Sequence, residues 1–533
     1  MRSGESHIHS TTINSLPDNV LLEIFDFCRG NQDLYGFHFY SIWDWHKLAH
    51  ICSRWRRIVY SSLRRLDLQL LCTHGTPVRK NLGYWPPLPL IIDYYTYQGA
   101  DDSKSLTPSD EDNIVTALED SDRVRYVGIS ATSSLLGKMA TAVRKPFPVL
   151  THLSLSSKDE NVPALPDEFL GGSAPDLRVA HLEGILFPAL PTLLSSAPGL
   201  VDLRLLDIPP EGFISPEAVV ASLATLTGLR TLFIGFKSPT PPSRTIRQDP
   251  IMRTGLPSLT TFGFSGVKEY LEDLFAQIDA PQLSHFRISY FNQLDFQVPQ
   301  LSEFISRTQN LYLARFQRAR VKFGVNNVYV SLYCEREELL ESHFSLQISC
   351  RGLDWQVSHV SQTLTQSAAM LSNVGDLSID TRDIPPGEKD YMDDTEWLEL
   401  LRPFTAVETL HVSGKLTGHV AHGLEGVTEE MVAEMLPALH SLCLEDEPST
   451  SVKQFVEVRR LSGRPVTIVR APGEFFYETR GHLRRWKEPL ALQTKNDKLV
   501  LAPYLCALRC GVLCCTSLVY LHFPINSILP AQR

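Results

Sequence analysis

One short pattern returns along most of this chain and restricts what it can fold into: apolar, two residues, apolar, one residue, apolar. It occurs at Leu63/Leu66/Leu68, Val124/Val127/Ile129, Leu150/Leu153/Leu155 and, loosely, Leu177/Ala180/Leu182. Leu200/Leu203/Leu205, Leu229/Leu232/Ile234, Leu259/Phe262/Phe264 and Leu283/Phe286/Ile288 follow, then Val374/Leu377/Ile379, Val407/Leu410/Val412 and Leu439/Leu442/Leu444. The gap after Leu283 leaves room for weaker copies such as Phe316/Ala319/Val321. Clear neighbours lie roughly 23 to 33 residues apart, within the range of stacked-repeat architectures. The last two apolar residues of each copy alternate with polar ones, which makes a short strand with one buried face.

Helix signals fill the intervals. Ser215-Pro216-Glu217 reads as cap, first-turn proline and N-terminal acid, with Gly228 as a stop. Val267 to Ile278, Asp394 to Leu401, Thr428 to Leu436 and Val452 to Leu461 have helical spacing, and Gly463 follows the last. Pro-Xaa-Leu turns at Pro175, Pro257 and Pro281 introduce several strands. A single strand and helix cannot bury a core alone, whereas stacked copies share one. The expected fold class is α/β, an irregular solenoid with parallel strands; the alternative is an irregular α/β domain whose strands share the motif by coincidence.

The array resembles a leucine-rich repeat domain in degenerate form. Where such repeats carry asparagine or cysteine beyond the strand, this chain has Lys158, Ile185, Ile208 and Lys237, so the backbone there needs other partners. Two segments interrupt the pattern. Asp101 to Asp112 is acidic and reads as a solvated loop, and Ser238 to Pro250, with four prolines, reads as an extended excursion.

The N-terminal stretch has a different logic. Leu16, Val20, Leu21, Ile24 and Phe25 recur at helical steps after Pro17, and Leu48, Ile51, Cys52, Trp55, Ile58 and Val59 repeat the stripe. Arg54, Arg56 and Arg57 are free to stay solvated. About fifty residues of short helix cannot bury two such stripes in a core of their own. The surplus apolar face needs the next domain or another protein.

Leu16-Pro17, the Val20/Leu21/Ile24/Phe25 stripe and Ile51-Cys52-Ser53-Arg54-Trp55-Arg56-Arg57 resemble an F-box. The resemblance implies docking into a small Skp-type adaptor of a cullin assembly through Leu16, Pro17, Val20, Leu21, Ile24, Phe25, Leu48, Ile51, Cys52 and Trp55. It also implies that the remaining chain captures a protein client. Longer phrases are similar to F-box-like proteins of mushroom-forming fungi: Cys72-Thr73-His74-Gly75-Thr76-Pro77-Val78-Arg79-Lys80, Phe169-Leu170-Gly171-Gly172-Ser173-Ala174-Pro175 and Trp397-Leu398-Glu399-Leu400-Leu401-Arg402-Pro403-Phe404. The competing reading makes the N-terminal helices a cap on a repeat scaffold with no ligase partner.

A net charge of -10 argues against a general nucleic-acid surface. The polar stretch Met1 to Thr12 lacks the apolar core of a secretory signal, and ten mostly isolated cysteines favour reduced thiols. A cytoplasmic or nuclear location is expected. The chain has no Gly-rich phosphate loop, no His-Glu-x-x-His helix and no nucleophile elbow; Gly263-Phe264-Ser265-Gly266 falls inside a repeat strand. No cofactor, metal or catalytic residue is expected.

Candidate client contacts sit on the open strand face: His152, Arg204, Phe233, His285, Arg287 and His411, beside Ser154, Asp202, Thr231, Asp376, Ser378 and Thr409. His181 shares that face, and these histidines lie too far apart along the array for one metal site. The expected divisions are a disordered 1–12, a helical module at 13–62, the repeat solenoid at 63–470 and a divergent tail at 471–533. Within that tail, Leu499 to Phe523 is apolar, but Pro503, Arg509, Gly511 and His522 make it a poor membrane span. A disordered terminus, a hydrophobic cap on the last repeat and lipidated cysteines beside a membrane are its readings.

Overall fold

Alternation becomes a sheet. In the computed structural model, described over residues 13–470 except 29–44, 64, 84–86, 95–105, 158, 160, 240–252, 292–296, 314, 335–341, 382–393, 426–433 and 446, each clear motif from Val124 onward supplies a strand. The strands are β1 (Leu70–Cys72), β2 (Leu90–Tyr94), β3 (Val124–Ala131), β4 (His152–Ser157), β5 (Val179–Glu183) and β6 (Asp202–Ile208). Next come β7 (Thr231–Phe236), β8 (Thr254–Gly255), β9 (Thr261–Gly266), β10 (Ile278–Asp279), β11 (His285–Tyr290) and β12 (Arg318–Phe323). The last are β13 (Val328–Tyr333), β14 (Phe344–Ile348), β15 (Asp376–Thr381), β16 (Thr409–Val412), β17 (Ser441–Leu444) and β18 (Thr467–Arg470). Sixteen form one sheet in the order β1-β2-β3-β4-β5-β6-β7-β9-β11-β14-β13-β12-β15-β16-β17-β18, and β8 pairs with β10.

Register keeps the motif in phase. Leu153 lies beside Ala180, Leu203, Leu232, Phe262 and Phe286 on successive strands, and Leu155 beside Leu182, Leu205, Ile234, Phe264 and Ile288. All are buried. Burying each of the leucine, isoleucine and phenylalanine side chains is worth about 1.5–3 kcal/mol. Short helices return the chain between strands, and their apolar faces complete this core. Ser215 caps the Pro216–Leu223 helix through Ala218 N–H, while Gly228 lies beyond its end in the turn before β7. Helices Lys268–Gln277, Asp394–Leu401 and Thr450–Leu461 match expected spans within two residues. Most of Thr428 to Leu436 lies outside the described residues.

A backbone ladder runs along the strand entrances. The Thr151 carbonyl accepts from Arg178 and Val179, that of Arg178 from Val201 and Asp202, and that of Val201 from Arg230 and Thr231. Arg230 and Thr260 carry it on to the next two repeats. At the strand exits Ile185 and Ile208 are buried and fill the asparagine position with apolar volume. Lys237 N–H donates to the Ile208 carbonyl at 2.9 Å.

Four expectations change. The strands are not all parallel: β13 is antiparallel to both β12 and β14, so a three-stranded meander interrupts the array. The Phe316/Ala319/Val321 copy does become β12, but Phe323 leads into the tight connection Gly324-Val325-Asn326-Asn327 rather than a helix. Leu63/Leu66/Leu68 forms turns, with Leu66 and Leu68 buried, and the sheet starts at Leu70. The acidic stretch is only partly loop, because the Pro108–Leu118 helix begins inside it with a Thr107–Asp110 capping box. Of the proline-rich Ser238 to Pro250, all but Ser238 and Pro239 lies outside the described residues, as does the 471–533 tail with its Leu499 to Phe523 segment.

Candidate functional site

The helical module splits its apolar residues between two faces. Helices α1 (Asp18–Cys28), α2 (Trp45–Ile51) and α3 (Ser53–Ser61) pack together. Leu21, Phe25, Trp55, Ile58 and Val59 are buried in the core continuous with the repeats, and the Phe25 and Trp55 ring centroids are 4.8 Å apart. Leu16, Ile24, Leu48 and Cys52 are half-buried, and Pro17 is exposed. Val20 is 36% exposed, Ile51 57% and Phe27 87%. Val20, Ile24 and Phe27 fall at helical steps of four and three, so they form an outward stripe. Phe27 escaped the sequence reading, which ended the stripe at Phe25; its place three residues after Ile24 was the available signal.

One of the three arginines is not solvated as expected. Arg54 donates to Asp18 Oδ1 at 2.7 Å and to the Leu16 carbonyl at 2.5 Å, tying α3 to the start of α1. Arg56 Nε donates to the Ala49 carbonyl at 2.9 Å, and both Arg56 and Arg57 stay exposed. Carbonyls flanking short helices lack intrahelical donors, and the guanidinium groups fill that need. Cys52 caps α3, its Sγ accepting from Trp55 N–H at 3.4 Å.

The open sheet face is the second surface. Its side chains alternate with the buried ones, so His152, His181, Arg204, Phe233, His285, Arg287 and His411 all lie on it, as the motif phase implies. Only some come together. Arg204 is held on Asp202 by two hydrogen bonds of 3.0 Å, and its guanidinium carbon sits 5.2 Å from the centre of the Phe233 ring. His181 Nε2 stands 3.2 Å from Asp202 Oδ1. Burial pushes the Asp202 carboxyl up, but hydrogen bonds and charge from His181 and Arg204 outweigh it, and its pKa ends below the ordinary value. His152 lies on β4, beside Tyr126 at 5.8 Å between rings. His285 stacks on His343 at 5.1 Å, and His411 lies five strands beyond, 3.5 Å from Asp376.

One buried polar cluster belongs to the Cys72-to-Lys80 phrase. Asp110 accepts from Gly75 N–H at 3.0 Å, with His74 Nδ1 at 3.6 Å, and Asn113 accepts from Arg79 N–H. Gly75 takes a positive φ of 75°, which a glycine adopts without strain. Burial lifts the Cys72 thiol to about 12, so it is neutral at physiological pH and a poor nucleophile. The cluster fastens the first strands to a helix. Among the described residues no group of three or more histidine, cysteine or acidic side chains could hold a metal, and no helix is long and apolar enough to cross a membrane.

No family model matches the chain, and no curated protein matches it. Among solved structures, the leucine-rich repeat-containing protein LegL7 from Legionella pneumophila is similar at 11% identity over 75% of this chain and 99% of that one. The TM-score is 0.22, too low to imply a shared fold. The repeat architecture rests on the strand register and buried ladder described above.

Proposed function

We propose that this chain is the non-catalytic, client-recognition subunit of a Skp–cullin–F-box type ubiquitin ligase. The observation that carries the reading is the exposure of Val20 and Phe27 on α1 and of Ile51 at the end of α2, with Ile24 half-buried between the first two, although the module's inner face is already filled. A solvated phenylalanine at 87% exposure gains nothing for this fold. In the groove of a Skp-type adaptor it would bury its ring, as an interface anchor does. The repeats would hold a protein client on the open sheet face, where Arg204 and Phe233 are already ordered. Rate enhancement is positional: client lysine and ubiquitin thioester are brought together, with no acid, base or nucleophile from this chain. The reading implies work in the cytosol or nucleus.

The test is co-purification with a Skp-type adaptor. Val20→Asp with Phe27→Asp should weaken binding by about 2 kcal/mol or more while leaving thermal stability nearly unchanged. Wild-type chain that fails to bind any adaptor would overturn the proposal.

A second reading has its own support. Leu21, Phe25, Trp55, Ile58 and Val59 seal onto the repeat core, which is what a terminal cap of a protein-interaction scaffold does. Deleting 13–62 should then make the remainder aggregate whether or not an adaptor exists. The two roles use opposite faces of α1, so Leu21→Ala and Phe27→Asp separate them: the first should cost about 2–5 kcal/mol of stability, the second adaptor affinity alone.

A further inference from the structure

The open face changes character across the antiparallel meander. In one register row Arg287 of β11 lines up with Ser345, Ser331, Arg320 and Ser378 of β14, β13, β12 and β15. In the next, Ser289 aligns with Gln347, Tyr329, Lys322 and Asp380. On the other side Tyr333 is the partner of Arg318, which is the partner of Asp376. All of these alternate with buried residues such as Ala319, Val321, Val330 and Leu346, so they share the open face, with Asp380 buried within it.

Four cationic groups, Arg287, Arg318, Arg320 and Lys322, here stand against two carboxylates, Asp376 and Asp380, on a chain whose net charge is -10. Across β5 and β6 the balance is the reverse, Glu183 and Asp202 against Arg204. Arg318 and Arg287 are exposed. Arg320 is held by Asp380 at 2.7 Å, and Arg287 and Lys322 have contacts of their own within the chain. Three of the four cations, Arg287, Arg320 and Lys322, are therefore positioned before anything binds, which lowers the ordering cost. Between them Ser331, Ser345, Tyr329 and Gln347 offer a half-buried floor of hydroxyl and amide donors. The glutamates at 335, 337, 338 and 341 lie outside the described residues and are not in this count.

We propose that this stretch binds an acidic peptide segment of the client, laid across the strands. Arg287 and Arg320 are three strand spacings apart, about 14 Å. That distance is spanned by about four residues of extended chain, and side chains at i and i+4 of an extended chain point the same way. Carboxylates at every second residue would thus reach Arg287 at one end and Arg320 with Lys322 at the other. Exposed ion pairs are weak singly, so affinity depends on several at once and falls with salt. The proposal rests on the open face being the client surface and not on adaptor docking.

The test uses the full chain and a fluorescein-labelled peptide alternating glutamate and serine, read by fluorescence anisotropy. Saturable binding is expected, weakening about tenfold between about 50 and about 300 mM salt; the same peptide with glutamine for glutamate should not bind. Arg287→Glu, and separately Arg318→Glu with Lys322→Glu, should each weaken binding about tenfold, whereas Lys453→Glu on a distant outer helix should not. Arg318→Gln with Lys322→Gln gives the same direction if the reversals melt early. Equal binding of the glutamine peptide, unchanged affinity in the charge variants, or an equal loss in Lys453→Glu overturns the proposal. Adaptor capture by the same variants should be unaffected. Peptide binding without any adaptor binding would leave this site standing and remove the ligase reading.

Discussion

Phe233 lies flat on the sheet because its neighbour across the strand gap is Gly263. A Cβ built on Gly263 would stand 2.1 Å from two ring carbons, a distance no side chain tolerates. The flat ring is what places an aromatic face under Arg204. Gly263→Ala should therefore lift the ring, costing about 1–3 kcal/mol in denaturant unfolding. Asp202 offers a pH test beside it. Its folded pKa is depressed, so the stability it contributes is present above the unfolded value near 4 and is lost as pH falls through the folded value. Asp202→Asn should be destabilising by roughly 1–3 kcal/mol at pH 7, since Arg204 and His181 lose a charged acceptor. The difference from wild type should shrink as pH falls below the unfolded value and through the folded one in urea titrations. The phase of the repeat motif put Arg204, Phe233 and Asp202 on one face in the sequence alone. Their clustering was not legible there, because it depends on which strands become neighbours and on a glycine whose missing side chain leaves no pattern.

At the level of elements, Glu272 shows how one repeat supports the next. This buried carboxylate on the Lys268–Gln277 helix accepts from the Gln300 and Leu301 N–H groups at 2.8 and 3.0 Å, in the first turn of the Pro299–Arg307 helix. That helix has no side-chain cap of its own, since Val298 occupies the cap position. Glu272→Ala leaves both N–H groups unpaired and should cost about 1–3 kcal/mol. Native-state hydrogen exchange should show the loss concentrated in Pro299–Arg307. A cap supplied from another repeat cannot be seen in the local sequence, unlike Ser215, whose own helix follows it. The Thr107–Asp110 capping box sits inside a run of acids that reads as a solvated loop, so the helix start went unread. Leu90–Tyr94 was missed for a related reason: it is a nearly buried strand, broken only by half-buried Asp93, without the two-one spacing of the repeat.

For the whole molecule, the sheet is extended by repetition from Leu70 to Arg470, and one helical module closes its beginning. The repeat period conveyed that plan because stacked units must reuse the same buried positions. What the period could not convey is the departure from it. Gly324-Val325-Asn326-Asn327 is a turn sequence, yet a search for copies of one motif reads Phe316 to Val321 as another repeat and passes over the reversal. Three of the four cations of the open face, Arg318, Arg320 and Lys322, lie on that insertion, so the least regular part of the array is also the part with the clearest charge signature.

That reversal also bears on the order in which the chain acquires structure. Most parallel neighbours must wait for a helix to form and cross over, whereas β12 and β13 meet across four residues, with Gly324 N–H already bonded to the Asn327 carbonyl at 2.9 Å. Hairpins close in about 1–10 μs, and contacts between distant residues form later. The meander is thus placed to act as a seed in mid-chain from which the array grows in both directions. Pulsed amide labelling during refolding should find the amides of Arg318–Phe323 and Val328–Tyr333 protected ahead of those in β4 and β17.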